Sequence, residues 1–320
     1  GKILAATPMG RFGKPEELSG ALLFLCDREY SGFVTGTTIA VDGGFTCPNR
    51  DGTKGTGGCI FCSSAGSGDF AEHGADIKTQ LENAKQRIKS KLPPDCGYIA
   101  YFQSFTNTYA PVARLRELFE AAFEVDGVQA LSVATRPDCV DEDNVQLLAE
   151  LNEKAPVFVE LGLQTSNEET ARYINRCYPN SDFTNAVRLL RKHGIDIIVH
   201  IIIGLPNETE DDILNTVRFV SAHDVQGVKL QLMHVLRSTR LAGTDYVPLQ
   251  MGEYYRLLGL CLEHLRPDIV IHRLTGDGDK RLLIAPMWSA DKHRVLNGFM
   301  RYMDEHNIIQ GSKYENSSLY

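Results

Sequence analysis

The chain has 320 residues, of which 43% are hydrophobic and 23% charged, and a net charge of −8. This suits one large barrel or two ordinary domains, and excludes a disordered or fibrous polymer; no apolar run approaches a membrane span and no signal peptide opens the chain. The acidic surplus argues against a broad nucleic-acid footprint, leaving room for a local basic patch, and eight cysteines, three of them clustered, fit a reducing cytoplasm better than a disulfide framework.

Residues 1–44 read differently from the rest of the chain. Pro15-Glu16-Glu17-Leu18 opens a helical pattern with apolar Ala21, Leu22, Leu23, Leu25 and Cys26, and a strand is expected from Thr37 to Val41. The words Pro8-Met9-Gly10-Arg11-Phe12-Gly13, Lys14-Pro15-Glu16-Glu17, Val34-Thr35-Gly36 and Val41-Asp42-Gly43-Gly44 resemble the C-terminal end of the short-chain dehydrogenase/reductase family. That family's glycine-rich nucleotide loop and Tyr-x-x-x-Lys pair have no room here, so the resemblance does not imply dehydrogenase activity. The expected arrangement is a fusion in which Thr37 to Val41 serves as a strand feeding the next loop, in place of what precedes that strand elsewhere. So short a piece buries little core by itself.

That loop holds Cys47, Cys59 and Cys62 in the pattern C-x11-C-x2-C, with Gly52, Gly55, Gly57 and Gly58 between them. Glycine takes backbone angles other residues avoid, so such a loop can fold its thiolates around a metal centre. A structural zinc wants four protein ligands, and His73 or Cys96 would be the nearest fourth. A four-iron cluster normally takes four cysteines, so three leave one iron open. Redox cysteines or a chance cluster are the plain alternative.

After Cys62, helix and strand signals alternate. Helices are expected at Ala75 to Lys91, stopped by Pro93-Pro94, and at Pro111 to Glu124, Asp141 to Glu153, Ser181 to His193 and Thr209 to His223. Strands are expected at Tyr98 to Phe102, Ala130 to Val133, Val157 to Gly162, Asp196 to Ile203 and Val228 to Met233. With Thr37 to Val41 this makes six parallel strands, an α/β fold of the partial (β/α)6 TIM-like barrel type. No Gly-x-Gly-x-x-Gly follows the first strand, which leaves a dinucleotide fold without local support. Residues 246–320 read as an α/β extension capping or extending the barrel: a helix, a strand from Ile269 to Leu274, a helix from Asp291 to His306, and a polar tail.

Reactive groups of such barrels gather at the strands' C-terminal ends. There the chain places Cys47, then Gln103-Ser104 with Thr106-Asn107-Thr108, Thr135-Arg136, Glu160 with Gln164, Gly204-Leu205-Pro206 with Glu208, and His234 with Arg237. Each alone is an ordinary turn or cap residue; together they converge on the cysteine loop. His200, inside an apolar strand, reads as a satisfied core histidine, and Trp288 as packing or a cover for the barrel mouth. Cys96, Cys139, Cys177 and Cys261 read as buried or inert thiols, Cys177 being the one whose loop can face the site.

Residues 43–310 resemble the radical S-adenosylmethionine (radical SAM) superfamily, in the YhcC/YtqA-like branch akin to the elongator catalytic subunit. The words are Gly44 to Gly52, Gly58-Cys59-Ile60-Phe61-Cys62, Tyr101 to Thr108, Thr135 to Cys139, Glu160 to Thr165, Gly204-Leu205-Pro206 and His272 to Gly278. Most of the superfamily uses C-x3-C-x2-C; the wider first gap is shared by this branch. The resemblance implies a radical SAM core over 45–245, with Cys47, Cys59 and Cys62 on three irons of a [4Fe–4S] cluster. The fourth iron then binds S-adenosylmethionine, which one electron splits into methionine and a 5′-deoxyadenosyl radical that abstracts hydrogen. Gln103 and Ser104 are expected at the methionine end, Glu160 and Gln164 at the amino group or ribose, and Gly204 and Pro206 beside the adenine. Arg136 is either a carboxylate partner or a solvated charge.

The same resemblance implies tRNA as a possible substrate, modified at the wobble uridine, together with a reducing electron donor. Lys85, Arg87, Lys89 and Lys91, and Arg188, Arg191 and Lys192, are candidate phosphate contacts, although charge runs on helices are more often solvated faces. The alternatives are a zinc-bound structural or RNA-binding module and a short-chain oxidoreductase remnant.

Overall fold

The computed structural model describes residues 37–66, 68–69, 71, 74–92, 96–276 and 278–315. The helix expected from Pro15, the words before Thr37, His73, the Pro93-Pro94 stop and Asp277 lie outside these residues.

Seven parallel strands form one curled half-barrel. They are β1 (Thr37–Val41), β2 (Tyr98–Phe102), β3 (Val128–Thr135), β4 (Val157–Gln164), β5 (Asp196–Ile203), β6 (Gly227–Leu232) and β8 (Val270–Arg273), hydrogen-bonded in that order. Helices α1 (Ile77–Ile88), α2 (Val112–Phe123), α3 (Glu142–Asn152), α4 (Glu168–Tyr173), α5 (Asn180–Lys192), α6 (Glu210–Ser221) and α7 (Met251–His264) cross between them. A two-stranded antiparallel ribbon, β7 (Val235–Leu236) with β9 (Leu283–Ala285), and α8 (Lys292–His306) complete the chain.

Most elements match their sequence signals. The segment at Thr37 pairs in parallel with β2, from Thr37 against Tyr98 to Val41 against Phe102. Side chains cap the crossover helices: Asp141 with Asn144 on α3, and Thr209 with Asp212 on α6, each forming a capping box. Three features go beyond expectation. β3 and β4 run longer, to Thr135 and Gln164; α4 and the β7–β9 ribbon are additional; and the strand near Ile269 joins the same sheet, pairing in parallel with β6 as a seventh strand.

Period-two alternation sorts the strand side chains onto two faces. One set, including Val41, Phe102, Leu131, Val159, Ile197, Val199 and Leu230, is buried against the helices. The other set faces the barrel interior in layers. The lowest is apolar, made by Ala130, Phe158 and Ile198 with Ile99 beside them. One step along each strand, two residues nearer the C-terminal end, come Tyr101, Ser132, Glu160, His200 and Lys229. Above these opens a cavity.

Candidate cluster and cofactor site

The cysteine loop is held by its own backbone and by four side chains. Arg50 N and Asp51 N donate to Cys47 O at 2.7 and 3.2 Å, and Cys62 N donates to Cys59 O at 3.2 Å. Asn175 Nδ2 donates to Thr56 O at 3.2 Å and Gly58 O at 2.7 Å; Arg240 also donates to Gly58 O. Arg50 Nη2 donates to Ser63 O at 2.5 Å, with its guanidinium 5.4 Å from the Phe105 ring centre. That ring leans on Gly66, where an added Cβ would fall 2.3 Å from it and φ is +57°. Asn49 is fully buried under the loop; its Nδ2 reaches Asn175 O at 2.5 Å and Cys59 Sγ at 3.8 Å.

Cys47, Cys59 and Cys62 line one cavity, with Gln103, Thr106, Glu160, Gln164 and His200 on the opposite walls. Among the described residues, no three His, Cys, Asp or Glu side chains are gathered for a single ion. Three thiols leave a tetrahedral zinc one protein ligand short, whereas a four-iron cluster held by three keeps one iron open. Cys96, the expected alternative fourth ligand, sits at the far end of the barrel, its Sγ 3.3 Å from Gly97 O before β2 begins. Half-buried Cys59 shares a hydrogen bond with Cys62, and that bond together with desolvation holds its thiol well above the ordinary range. Thr106 Oγ1 is buried on the cavity wall without a hydrogen-bond partner, which leaves it for a ligand.

Beneath the cavity lies a buried polar layer centred on Glu160. Its carboxylate accepts from Tyr101 Oη at 2.8 Å, Ser132 Oγ at 2.6 Å, His200 Nε2 at 2.6 Å and Lys229 Nζ. Burial opposes the charge, yet Lys229 and His200 outweigh it and hold Glu160 well below the usual carboxylate range. Burial likewise keeps His200 below its ordinary value, so it is neutral at pH 7. With Nε2–H given to Glu160, its Nδ1 accepts from Gln231 Nε2 at 3.1 Å. A histidine expected in the core is therefore a cavity wall residue.

The Radical SAM superfamily profile matches residues 50–220, and the Radical_SAM C-terminal domain profile matches 225–305. The uncharacterized protein YtqA of Bacillus subtilis is 46% identical over 283 residues, 87% of either chain. This chain belongs to the radical SAM superfamily. It is an enzyme of that superfamily, whose cofactors are a [4Fe–4S] cluster and S-adenosylmethionine. Protein YhcC of Escherichia coli K12 is 33% identical over 279 residues, 86% of this chain and 89% of that one. The solved archaeal Methanocaldococcus infernus Elp3, with an N-terminal deletion, shares the fold at a TM-score of 0.66 and 16% identity. The match covers 87% of this chain but only 64% of that one. Residues 1–46 match the Enoyl-(Acyl carrier protein) reductase profile, and 44 residues are 70% identical to the uncharacterized oxidoreductase UxuB of Bacillus subtilis, 14% of this chain. Among the described residues no helix is long and apolar enough to cross a membrane.

The radical SAM residues expected from sequence divide into two groups. Gln103, Glu160 and Gln164 line the cysteine cavity, Gln164 with φ of +64° and its amide 3.1 Å from Tyr178 Oη. Ser104 does not line it: the residue is fully buried, backed against Gly68, where an added Cβ would fall 2.0 Å from its Oγ. Gly204 and Pro206 do not line it either. The chain turns outward after β5, with φ of +85° at Gly204, and the pair lines a neighbouring cavity with Glu208 and Tyr246, whose hydroxyl donates to Gly204 O. Of the two readings of Arg136 the carboxylate partner holds, the carboxylate being the chain's own: it is buried, paired in fork geometry with Asp138 at 2.9 Å, and donates to Arg176 O at 3.1 Å.

Three residues were missed. Arg176 is fully buried and donates to the carbonyls of Leu163, Thr165 and Tyr178, pinning the turn after β4. Lys229 and Gln231 occupy alternate, inward positions of β6, a signal that period-two reading could have supplied. Trp288 packs: its Nε1 donates to Leu249 O at 3.1 Å and its ring lies 5.7 Å from that of Tyr254. His234 Nε2 meets Ser289 Oγ at 2.9 Å.

The basic helix faces lie away from this site. Lys85 Nζ binds Asp126 O at 2.7 Å, just before β3; Arg191 pairs with Asp196 and Asp224 at 3.0 Å, where β5 begins and before β6. Lys192 pairs with Glu142 at 3.0 Å. Lys85 and Arg191 thus lie at the strands' N-terminal side, opposite the cysteines, while Lys192 reaches the first residue of α3.

Proposed function

We propose that Cys47, Cys59 and Cys62 hold the [4Fe–4S] cluster, that S-adenosylmethionine occupies the adjoining cavity, and that the substrate is a tRNA, modified at the wobble uridine. The observation that carries the first two parts is the single cavity with three thiols on one wall and hydrogen-bonding side chains on the others. The other cavity side chains able to bind metal are engaged: His200 has both ring nitrogens occupied by Glu160 and Gln231, and Glu160 accepts from Tyr101, Ser132, His200 and Lys229. When bound, the pair of cofactors supplies a one-electron cleavage of the sulfonium and thereby a carbon radical able to take hydrogen from substrate.

The chain's own residues do the rest. Asn49, Asn175, Arg50 and Arg240 hold the loop so that the thiols face the cavity. Thr106 Oγ1, Gln103 and the Gln164 amide offer polar contacts to a zwitterionic ligand. Lys229 balances the charge of Glu160, and Tyr101, Ser132 and His200 satisfy its other lone pairs, so the floor carries no uncompensated charge. A tRNA substrate is supported by a relative whose name includes one, the tRNA-2-methylthio-N(6)-dimethylallyladenosine synthase of Sulfurihydrogenibium, 31% identical over 107 residues, 32% of this chain; that name specifies an adenosine, and the wobble uridine rests on the resemblance to the elongator catalytic subunit.

Anaerobic reconstitution tests the site. About four irons per chain and 5′-deoxyadenosine on reduction with S-adenosylmethionine are expected. Cys47→Ala, Cys59→Ala and Cys62→Ala should each lose both iron and product. A colourless protein holding one zinc would overturn the reading.

A further inference from the structure

The cysteine cavity is not closed. Phe61, Gln103, Ile202, Gln231 and Arg273 line it and also line a second, smaller chamber that reaches His234 and Gly278. Gly278 in turn borders a third space, a groove of about 840 Å³ between the loop after β8 and the start of α8. Its lining includes Lys280, Arg281, Lys292 and His293. Two acids also line it, and both are engaged: Asp279 in an ion pair with Arg281 at 2.6 Å, and Asp291 as the cap of α8, accepting from Arg294 N at 3.0 Å. Lys280, Lys292 and His293 are exposed, and so are the neighbouring apolar side chains Ile284 and Met287. On a chain of net charge −8, this lining sets three cations, Lys280, Arg281 and Lys292, against two carboxylates, and it shares Gly278 with the chamber beside the cysteine cavity.

From this continuity we infer that the groove binds the sugar–phosphate backbone of the RNA substrate, while one flipped nucleoside passes through the second chamber toward the cysteine cavity. The inference rests on the tRNA reading above. A polyanion with a thin, uncharged tip matches a basic groove opening into a small chamber. Exposed apolar side chains beside cations suit bases beside phosphates, and a base must leave its stack to reach a buried reacting centre. Lys85 on α1 and Arg191 on α5 lie at the opposite end of the barrel and do not share in this.

The test is the binding of a tRNA transcript to the full, reconstituted chain across a salt series. The variant Lys280→Gln/Arg281→Gln/Lys292→Gln should bind about tenfold more weakly at ~0.1 M salt, with a log–log salt slope shallower by about two. Lys280→Gln alone, at an exposed position, should give about a third of that change and guards against misfolding of the triple variant. Lys85→Gln/Arg188→Gln/Lys192→Gln should bind as the parent does. Parental affinity and slope in both groove variants would overturn the groove while leaving the tRNA reading standing. Absence of salt-dependent binding by the parent would overturn both. If poly-glutamate competes as well as RNA at equal charge, the groove belongs to an acidic protein and the inference fails.

Discussion

Asn49 Nδ2 lies 3.8 Å from Cys59 Sγ and 2.5 Å from Asn175 O, so one amide hydrogen is spent on the carbonyl and the other faces the sulfur. Hydrogen bonds to cluster sulfurs raise reduction potential by favouring the more electron-rich state. Asn49→Leu keeps the shape and removes both donors. Its reconstituted cluster should be about tenfold harder to reduce, about 59 mV more negative for one electron. Asn175→Gly, which loosens the loop but keeps the carbonyl and the positive φ, should leave the potential near the parental value. Equal shifts in both, by spectroscopic redox titration, would mean that Asn49 only stiffens the loop.

Glu160 and Lys229 are buried together, 4% and 7% exposed. Removing one partner of such a pair strands the other charge, at a typical cost of about 3–5 kcal/mol. Lys229→Met should therefore destabilise by about 3 kcal/mol or more in urea unfolding. Lys229→Met/Glu160→Gln should recover part of that loss, because no carboxylate is then stranded. A single variant costing under about 1 kcal/mol would show the pair to be hydrated.

Glu208 accepts from Thr165 Oγ1, and burial pushes its carboxyl up to about 7 from an ordinary 4.5. Between those values the folded chain binds the extra proton, so this group's contribution is favourable at the acid end and lost as pH rises to 7. The gap between 4.5 and about 7 corresponds to about 3 kcal/mol. Glu208→Gln should remove that part of the pH dependence and be the more stable form at pH 8. Parallel unfolding curves from pH 5 to 8 would count against it.

The alternation of strands and helices was legible because each crossover unit carries its own signals: β-branched runs such as Asp196–Ile203, and capping pairs such as Thr209 with Asp212. The three cysteines were legible because their loop has little else to do. The rest of the cavity lining was less so. Gly204 and Pro206 follow a strand in sequence like Gln103 does, but a left-handed turn at Gly204 sends them outward, and no residue pattern shows that direction. Lys229 was overlooked because a lysine in an apolar strand looks like an exception until its partner on β4 is known.

Strand β1 falls within the stretch matched by the reductase profile, while the radical SAM profile begins only at residue 50. An edge strand is bonded on one side alone, through amides and carbonyls that every residue carries alike. All it must add is inward and outward alternation, here Ile39 and Val41 against the helices. Family likeness and architecture can therefore part company at this margin of the sheet: a segment similar to a reductase fills the first rung and delivers the chain to Cys47.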